Sequence, residues 1–381
     1  MRSFYNALLL VVVMASCKKD KIVTLQETKP DIDVISDNPD GDEDLSGVKI
    51  LQLDLSTGKF IPSTSPLLLS SVAIGRKSAD TISKTPLTYS GWTHPAVLRF
   101  RNKWNNYYYW AAITPYPNVD SQYENPHIFC SNDGKTWIEP PGIINPIEPV
   151  PSIQGYNSDV NLLREGEYLY CYWREVTVVS RTLWVKKSLD GIHWSEREFI
   201  CKVPVNDKID FISPAVVKDG DQYQCYAVCG PEKDPGNYYD SYSIRRMVSN
   251  DATKGFTPEY NNGYELVTIE NRPWGSLQDP WHLEVKKVSN IWLMLVTTTN
   301  HKGYGSGGKL YMGYSSDGKS FSFIETPICD APGSTYKSSF HPRISKKGNC
   351  IDIELWRSMT SYGWAIFYDK FSIKLTFAPI A

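Results

Sequence analysis

The chain has 381 residues, of which 41% are hydrophobic and 22% are charged, enough apolar sequence for one large or two ordinary domains. A net charge of -2 leaves no basic field of the kind that collects phosphates, which argues against nucleic acid as a partner. Aromatic residues make up 13%, which suits both a β-rich fold and stacking on sugar rings.

The first 16 residues read as a secretory signal. Arg2 supplies the positive charge, Ala7 to Met14 is apolar but too short to cross a bilayer, and small residues lead to Cys17. The ending MASC resembles the lipobox of bacterial lipoproteins, which implies that Cys17 becomes the lipidated N-terminus. Residues 17–47 are acidic and polar, as expected of a disordered tether. The expected location is the outer membrane or the cell surface, with the lipid as the membrane anchor.

Residues 48–92 follow the tether and contain short apolar runs, VKILQLDL among them. We interpret these as extra strands, one of which could complete the last unit of the domain that follows. The remaining cysteines sit within apparent strands without a CxxC pair, so we expect buried thiols and no structural zinc site.

A repeated turn dominates the rest of the chain. SNDGKTW at Ser131, SLDGIHW at Ser188 and SSDGKSF at Ser315 each follow three short alternating strands. Two further units, one with a decayed turn and one at the C-terminus, show the same strand order. Five units of four strands predict an all-β fold, a five-bladed β-propeller over residues 93–381.

The turn itself resembles the Asp-box of sialidases, in which aspartate and glycine shape the hairpin between the third and fourth strands. This implies a structural role for Asp133, Asp190 and Asp317. If the first strand of each unit runs from top to bottom, these turns lie at the bottom. Functional residues are then expected at the top, at the starts of first strands and in the loops between second and third strands.

Those top positions carry acids, histidines, arginines and aromatic residues. Hydrolysis of a glycosidic bond needs two carboxyl groups, one to protonate the leaving oxygen and one to activate water or attack. The candidate catalytic carboxylates are Asp159, Asp210, Asp279, Glu124 and Glu175. The candidate sugar-binding residues are His94, His282, Arg174, Arg357, Tyr116 and Trp281. Salt bridges between blades and interblade aromatic packing are the alternative uses of the arginines and aromatics.

The blade-start pattern resembles that of the five-bladed propeller glycosidases of glycoside hydrolase family 43. DFISPAVVKDGDQY resembles the strand with the family's pKa-tuning carboxylate, which implies that role for Asp210. LQDPWHLEV resembles the segment of the family's acid but has Asp279 before Pro280, and His94-Pro95 stands where the family has Asp-Pro. His341 resembles a channel histidine that helps to hold calcium in some relatives, so a central Ca²⁺ is a possible cofactor and none is required.

The sequence thus predicts a glycoside hydrolase acting on a plant or host glycan, with Glu124 or Asp279 as the acid and Asp159 as the base. The competing prediction is a surface glycan-binding lipoprotein without catalysis. A sialidase is a third interpretation, in which only the turns match.

Overall fold

A computed structural model describes residues 48–70, 74–75, 82–83, 91–150, 155–204, 210–233, 240–256, 265–300, 308–328, 335–345 and 348–379. Their strands form five blade sheets, so the predicted five-bladed, all-β propeller is confirmed. The predicted signal peptide, Cys17 and the tether lie outside the described residues.

Blades one and two follow each other along the chain. Blade one contains β2 (Leu68–Ser70), β5 (Trp92–Trp104), β6 (Tyr107–Pro115), β7 (His127–Ser131) and β8 (Thr136–Ile138). Blade two contains β9 (Tyr156–Glu165), β10 (Tyr168–Val176), β11 (Ser180–Ser188) and β12 (Glu198–Pro204). In blade one, β2 comes from the apolar runs interpreted above as extra strands, and it adds a fifth strand parallel to β8.

Blades three and four repeat this arrangement. Blade three contains β13 (Ile212–Asp219), β14 (Gln222–Lys233), β15 (Asp240–Ser249) and β16 (Glu265–Leu266). Blade four contains β17 (Thr268–Ile269), β18 (Gln278–Val288), β19 (Ile291–Asn300), β20 (Leu310–Ser315) and β21 (Ser320–Phe323). Here β17 is the extra strand and runs parallel to β21.

Blade five combines both ends of the described chain. It contains β1 (Val48–Asp54), β22 (Ser339–Ser345), β23 (Cys350–Met359) and β24 (Ala365–Pro379), in the order β1-β24-β23-β22. Because β1 pairs antiparallel with β24, the N-terminal strand closes the ring through main-chain hydrogen bonds.

Small elements complete the described part of the chain. They are the hairpin β3 (Ile74–Gly75) and β4 (Ile82–Ser83), the 3-10 turns Leu55–Gly58, Pro117–Val119 and Ser121–Tyr123, and the four-residue helix α1 (Ser361–Trp364). No helix in this part has the length and hydropathy needed to span a bilayer. Of the cysteines that the structure describes, all but Cys350 are buried.

The repeated turns join neighbouring blades. In the first, Asp133 Oδ1 accepts hydrogen bonds from the main-chain N–H groups of Lys135 and Thr136 at 2.8 and 2.7 Å. The carbonyl of Gly134 accepts from the indole of Trp356 in blade five at 2.8 Å. In the same way Tyr226 of blade three donates to the turn carbonyl of blade four. Each of these two turns therefore accepts a hydrogen bond from an aromatic residue on the second strand of the preceding blade.

The turn glycine at position 191 should be intolerant of a side chain. Gly191 has φ +76°, and a Cβ placed there would lie 2.2 Å from the Trp110 ring. We expect Gly191→Ala to cost about 1–2 kcal/mol in backbone strain and about 1–3 kcal/mol more in overpacking. Urea denaturation measures the total. The matched control is Gly166→Ala, because Gly166 has φ +54° with nothing within 4 Å of the added carbon. Equal losses for the two variants would contradict the interblade contact.

Hydrogen bonds to polar side chains also link the innermost strands of neighbouring blades. The main-chain N–H of Val97 in blade one donates to Ser339 Oγ in blade five at 2.9 Å. In turn, Asn161 Oδ1 in blade two accepts from the N–H of Val216 in blade three at 3.1 Å. These bonds fix the positions of neighbouring inner strands relative to each other, close to the strand starts that surround the site.

Candidate active site

Three of the five inner strands open with the same backbone distortion. The pairing register of β5, β9 and β13 shifts near the start of each strand, as it does at a β-bulge. Within these shifts His94, Asp159 and Ser213 have φ of +51°, +56° and +53°. Left-handed backbone is uncommon for residues other than glycine and costs energy, so its repetition in three blades marks a site that the fold maintains. The inner strand of blade four, β18, has a similar shift immediately before His282.

These distorted starts surround a cavity of about 290 Å³. It is lined by Thr93, His94, Tyr116, Ser121, Glu124, Tyr156, Ser158, Asp159, Arg174, Arg181, Asp210, Ile212, Tyr242, Trp281, His282, Tyr336 and Trp364. The cavity therefore brings together eight of the predicted site residues, from blades one to four. Its volume suits one sugar ring with its substituents rather than a long chain.

A histidine–aspartate–histidine cluster lines part of the cavity. Ligand atoms of His94, Asp159 and His282 all lie within 4.8 Å of one another, and all three side chains are buried. Asp159 Oδ1 lies 3.7 Å from His94 Nε2 and 3.3 Å from His282 Nδ1. Burial lowers the pKa of His94 to about 3 and also lowers the pKa of His282, although Asp159 opposes both shifts. Both imidazoles are therefore neutral at physiological pH, the form that binds metals.

An arginine fixes the carboxylate of this cluster. Arg174 Nε lies 3.1 Å from Asp159 Oδ2, and Arg174 Nη1 donates to Asp210 Oδ1 at 2.8 Å. Burial disfavours the charge on Asp159, but Arg174 and then the two histidines outweigh it and hold the pKa well below its usual value. Arg181 approaches the other oxygen of Asp210 at 3.7 Å. Asp159 is thus a fixed anion, and Asp210 serves as a partner of two arginines.

Glu124 is the carboxyl group in the cavity that has no arginine partner. It follows the 3-10 turn Ser121–Tyr123, and its carbonyl accepts a hydrogen bond from Asn157 N at 2.8 Å. Its Oε2 is buried, has no hydrogen-bond partner among the residues that the structure describes, and lies 3.6 Å from His94 Nδ1. Burial, with a further contribution from the charge of Asp159, raises the pKa of Glu124 to about 8. Such a carboxyl group can both accept and donate a proton near neutral pH.

Aromatic rings also line the cavity, and those of Trp281 and Tyr336 contact His282. Trp364 contacts Tyr336 edge-on with 4.4 Å between ring centroids, and Tyr116 with 4.8 Å. Trp281 contacts Tyr242 in the same way at 5.5 Å. The cavity therefore presents acids, histidines and aromatic rings together, which is the usual environment for a sugar.

Four residues predicted for the site are absent from this cavity lining. Asp279 pairs with Arg272 at 2.9 Å, and His282, which follows the register shift of β18, lines the cavity instead. Glu175 pairs with Arg197 at 2.9 Å, since it alternates with Arg174 along β10 and lies on the other face. Arg357 is fully buried on Asp369, and His341, the predicted calcium ligand, is buried on β22.

Arg357 instead joins blade five to the segment that follows β1. Its Nε donates to Asp369 Oδ2 at 2.7 Å and its Nη2 to the carbonyl of Ser63 at 3.1 Å. We expect Arg357→Ala to lower the free energy of unfolding by about 3–5 kcal/mol, because Asp369 is left buried without its partner. Urea denaturation measures the loss. The matched control, Arg343→Ala, removes an exposed arginine from Asp352 and should cost about 0–1 kcal/mol. A raised KM with unchanged stability would instead support the predicted sugar contact.

Sequence reasoning missed several residues of the cavity and its surroundings, among them Tyr156, Arg181, Tyr242, Tyr336 and Ser213. Ser213 had a readable signal, because it stands before proline at the start of a first strand, as His94 does. The predicted residue there, Asp210, lies three positions earlier. Tyr336 and Arg181 had none, since each lies outside the strand starts and loops that we considered.

The comparisons with known proteins agree with this architecture. No protein-family model matches the sequence. A curated relative from Flavonifractor plautii, an A type blood N-acetyl-α-D-galactosamine deacetylase, is 27% identical over 310 residues, 70% of this chain. The chain spans about 40% of the length of that relative.

Solved structures show the same fold. The crystal structure of an N-acetylgalactosamine deacetylase from F. plautii, in complex with blood group B trisaccharide, has a TM-score of 0.62 and 22% identity, over 83% of this chain and 95% of that one. A thermostable family-43 glycoside hydrolase has a TM-score of 0.52 and 14% identity, over 76% and 94% of the two chains. This chain therefore has the five-bladed propeller fold of family-43 glycoside hydrolases and of this deacetylase, a fold of carbohydrate-active enzymes.

Proposed function

We propose that the protein is a metal-dependent hydrolase that removes the acetyl group from an N-acetylated amino sugar. The observation that carries this proposal is the buried cluster of His94, Asp159 and His282, with Glu124 beside it. Two neutral imidazoles and one carboxylate form a donor set of the kind that binds catalytic zinc with a coordination position left for water or substrate.

The side chains fit a divalent cation in three respects. Asp159 is held as an anion, and both histidines are held neutral. The nitrogen of His282 that faces Asp159 is Nδ1, which lies 3.3 Å from Asp159 Oδ1, close enough for both atoms to bind one cation. On the far side of His94, Nδ1 lies 3.2 Å from Thr114 Oγ1, a contact that orients the ring as second partners do in metal sites. A cation bound here would polarise the acetamide carbonyl and lower the pKa of a bound water.

Glu124 is placed to move protons in this reaction. Amide hydrolysis forms a bond between a water oxygen and the acetyl carbon and breaks the carbon–nitrogen bond, so one proton leaves the water and one reaches the amine. Glu124 lines the same cavity as the cluster, and in this proposal its carboxyl group takes the first proton and returns it to the nitrogen. The aromatic rings would hold the sugar while this occurs.

The relatives support a sugar substrate. The F. plautii protein is described as a deacetylase of N-acetyl-α-D-galactosamine, and its structure was solved with a blood group trisaccharide. We extend to this chain an N-acetylated hexosamine as substrate, at the end of a glycan because the cavity is small. From the sequence signal we further propose display at the cell envelope through lipidated Cys17.

A glycoside hydrolase is the second candidate. It is favoured by two carboxyl groups in one cavity, Glu124 and Asp159, and by the fold shared with family-43 enzymes. Asp159 is a poor base for that reaction, because Arg174 and two histidines hold it as an anion of low proton affinity. Deacetylation therefore gives a role to more of the charged groups in the cavity than glycoside hydrolysis does.

The experiment compares two products. The purified protein is treated with a chelator and assayed with and without added Zn²⁺ or Mn²⁺, with His94→Ala in parallel. Acetate release is measured on blood group A trisaccharide and on N-acetylglucosamine-terminated oligosaccharides, and reducing-sugar release on arabinan and xylan. Cation-dependent acetate release that is lost in His94→Ala is expected. Chelator-insensitive reducing sugar without acetate would overturn the deacetylase in favour of the glycosidase, and glycan binding without either product would favour the non-catalytic alternative.

A further inference from the structure

A completely buried lysine lies in the interior of the propeller without lining the cavity. Lys337 stands two residues before β22, and its side chain has no exposure to solvent. Its Nζ donates to the carbonyl of Val160 and lies 3.6 Å from Oε2 of the equally buried Glu284. Burying an ammonium group is costly unless it is paired and hydrogen-bonded, so these two contacts keep Lys337 inside the fold.

The first contact reaches the distorted backbone at Asp159. In the pairing of β9 with β10, Ser158 and Asn161 have partners, whereas Asp159 and Val160 between them have none. Asp159 also has left-handed backbone, with φ +56°. The Val160 carbonyl therefore lies where the pairing of the sheet is interrupted, and the ammonium of Lys337 supplies a donor to it there. A shift of this carbonyl would also move the preceding residue, Asp159.

The second contact reaches the strand that carries His282. Glu284 lies two residues after His282 on β18 and so on the same side of the strand. Its Oε1 lies 2.7 Å from Lys286 Nζ, which gives the carboxylate a second lysine partner. Asn161 Nδ2 lies 3.5 Å from both carboxylate oxygens. Lys337 thus contacts β9 and β18, the strands of two of the three proposed cation ligands.

We infer that Lys337 is a positioning residue, which holds β9 and β18 so that Asp159 and His282 meet at the spacing that one cation requires. This inference rests on the proposed metal site and adds to it a residue that touches neither the cation nor the substrate. Outer partners of metal ligands are typically worth about 10–100-fold in metal affinity.

The test removes Lys337 without changing the net charge near the site. Loss of the lysine alone would remove a positive charge, which by itself favours a cation. The variant is therefore Lys337→Met combined with Glu284→Gln, which removes one charge of each sign. The full-length protein is stripped of metal, and the Kd for Zn²⁺ is measured by competition with a chelating dye. We expect the variant to bind Zn²⁺ about 10–100-fold more weakly than the wild type.

A second variant, Lys337→Met with Glu284→Leu, guards against misfolding. Replacing a buried ion pair with apolar side chains of similar size is often neutral or stabilising. Because it also lacks the donor to Val160, we expect the same loss of zinc affinity. Urea denaturation reports the stability of each variant separately from its Kd.

Lys286→Met combined with Glu284→Gln is the matched control. It removes the other lysine of the same carboxylate, again without changing the net charge, and keeps the contact of Lys337 with Val160. Its Kd for Zn²⁺ should match that of the wild type. Wild-type affinity in both Lys337 variants, or an equal loss in the control, would overturn the inference and leave the metal site standing. A wild-type protein that binds no Zn²⁺ would overturn both proposals.

Discussion

Replacing Asp159 with asparagine is expected to abolish zinc binding and the release of acetate together. Asparagine keeps the size of the side chain and tolerates the left-handed backbone at this position, so the fold should persist. The variant removes the single anion among the three proposed ligands. The loss of zinc affinity should therefore exceed the ~10–100-fold that follows the loss of an outer partner. Dye competition for Zn²⁺ and acetate release measure the two effects.

Asp279→Asn is the matched control for this variant. Asp279 is as buried as Asp159 and is also paired with an arginine, but it lies outside the cavity lining. We expect wild-type zinc affinity and turnover from it. If the Asp279 variant lost activity and the Asp159 variant kept it, Asp159 would not be an essential residue. That result would support the prediction from LQDPWHLEV that Asp279 is the catalytic acid.

The sequence was sufficient for the blades because their signal is local. Short alternating strands separated by turns depend on residues that are neighbours in the chain, and this pattern recurs in all five blades. The parallel pairing of the two fifth strands could not be predicted, for the opposite reason. β2 and β17 are three and two residues long, too short for any alternation, and each gains its partner only when the ring is assembled.

The site was predictable in outline and not in its chemistry. The expectation that strand starts meet at the top located His94, Asp159 and His282, but as members of a sugar-binding and carboxylate set. Their conversion into a metal-ligand cluster depends on distances of 3.3–3.7 Å across the channel, which no spacing within one blade encodes. The same limit applies to His341: the family resemblance implied a metal-binding role for it, and the cluster found among the described residues does not include it.

The arginines illustrate a further limit. Arg174 and Arg357 occupy the same sequence setting, each after a tryptophan near the end of a second strand. In the structure Arg174 holds Asp159 within the cavity, whereas Arg357 holds Asp369 beside the N-terminal segment. The two arginines differ in the partners that the fold places beside them. Blade five contains β1, and the segment after β1 lies against Arg357. A local pattern cannot distinguish two arginines whose difference lies in the rest of the molecule.

Glu124→Gln should separate turnover from metal binding. The amide is the same size as the carboxyl group and cannot exchange a proton, so kcat for acetate release should fall about 10²–10⁴-fold. Zinc affinity should stay at the wild-type level, because Glu124 approaches His94 through Nδ1 and does not belong to the ligand cluster. Acetate release at saturating Zn²⁺ and dye competition distinguish this outcome from that of the Asp159 variant.

Glu175→Gln supplies the comparison, since Glu175 is a buried glutamate of blade two that pairs with Arg197 and does not line the cavity. Its kcat should match the wild type. If Glu124→Gln kept full turnover, the proton would have to move through another group, and the proposed role of Glu124 would be wrong. The cluster of His94, Asp159 and His282 could still bind a cation in that case. If Glu124→Gln instead lost zinc and turnover in equal measure, Glu124 would be a ligand, and the donor set would hold two carboxylates rather than one.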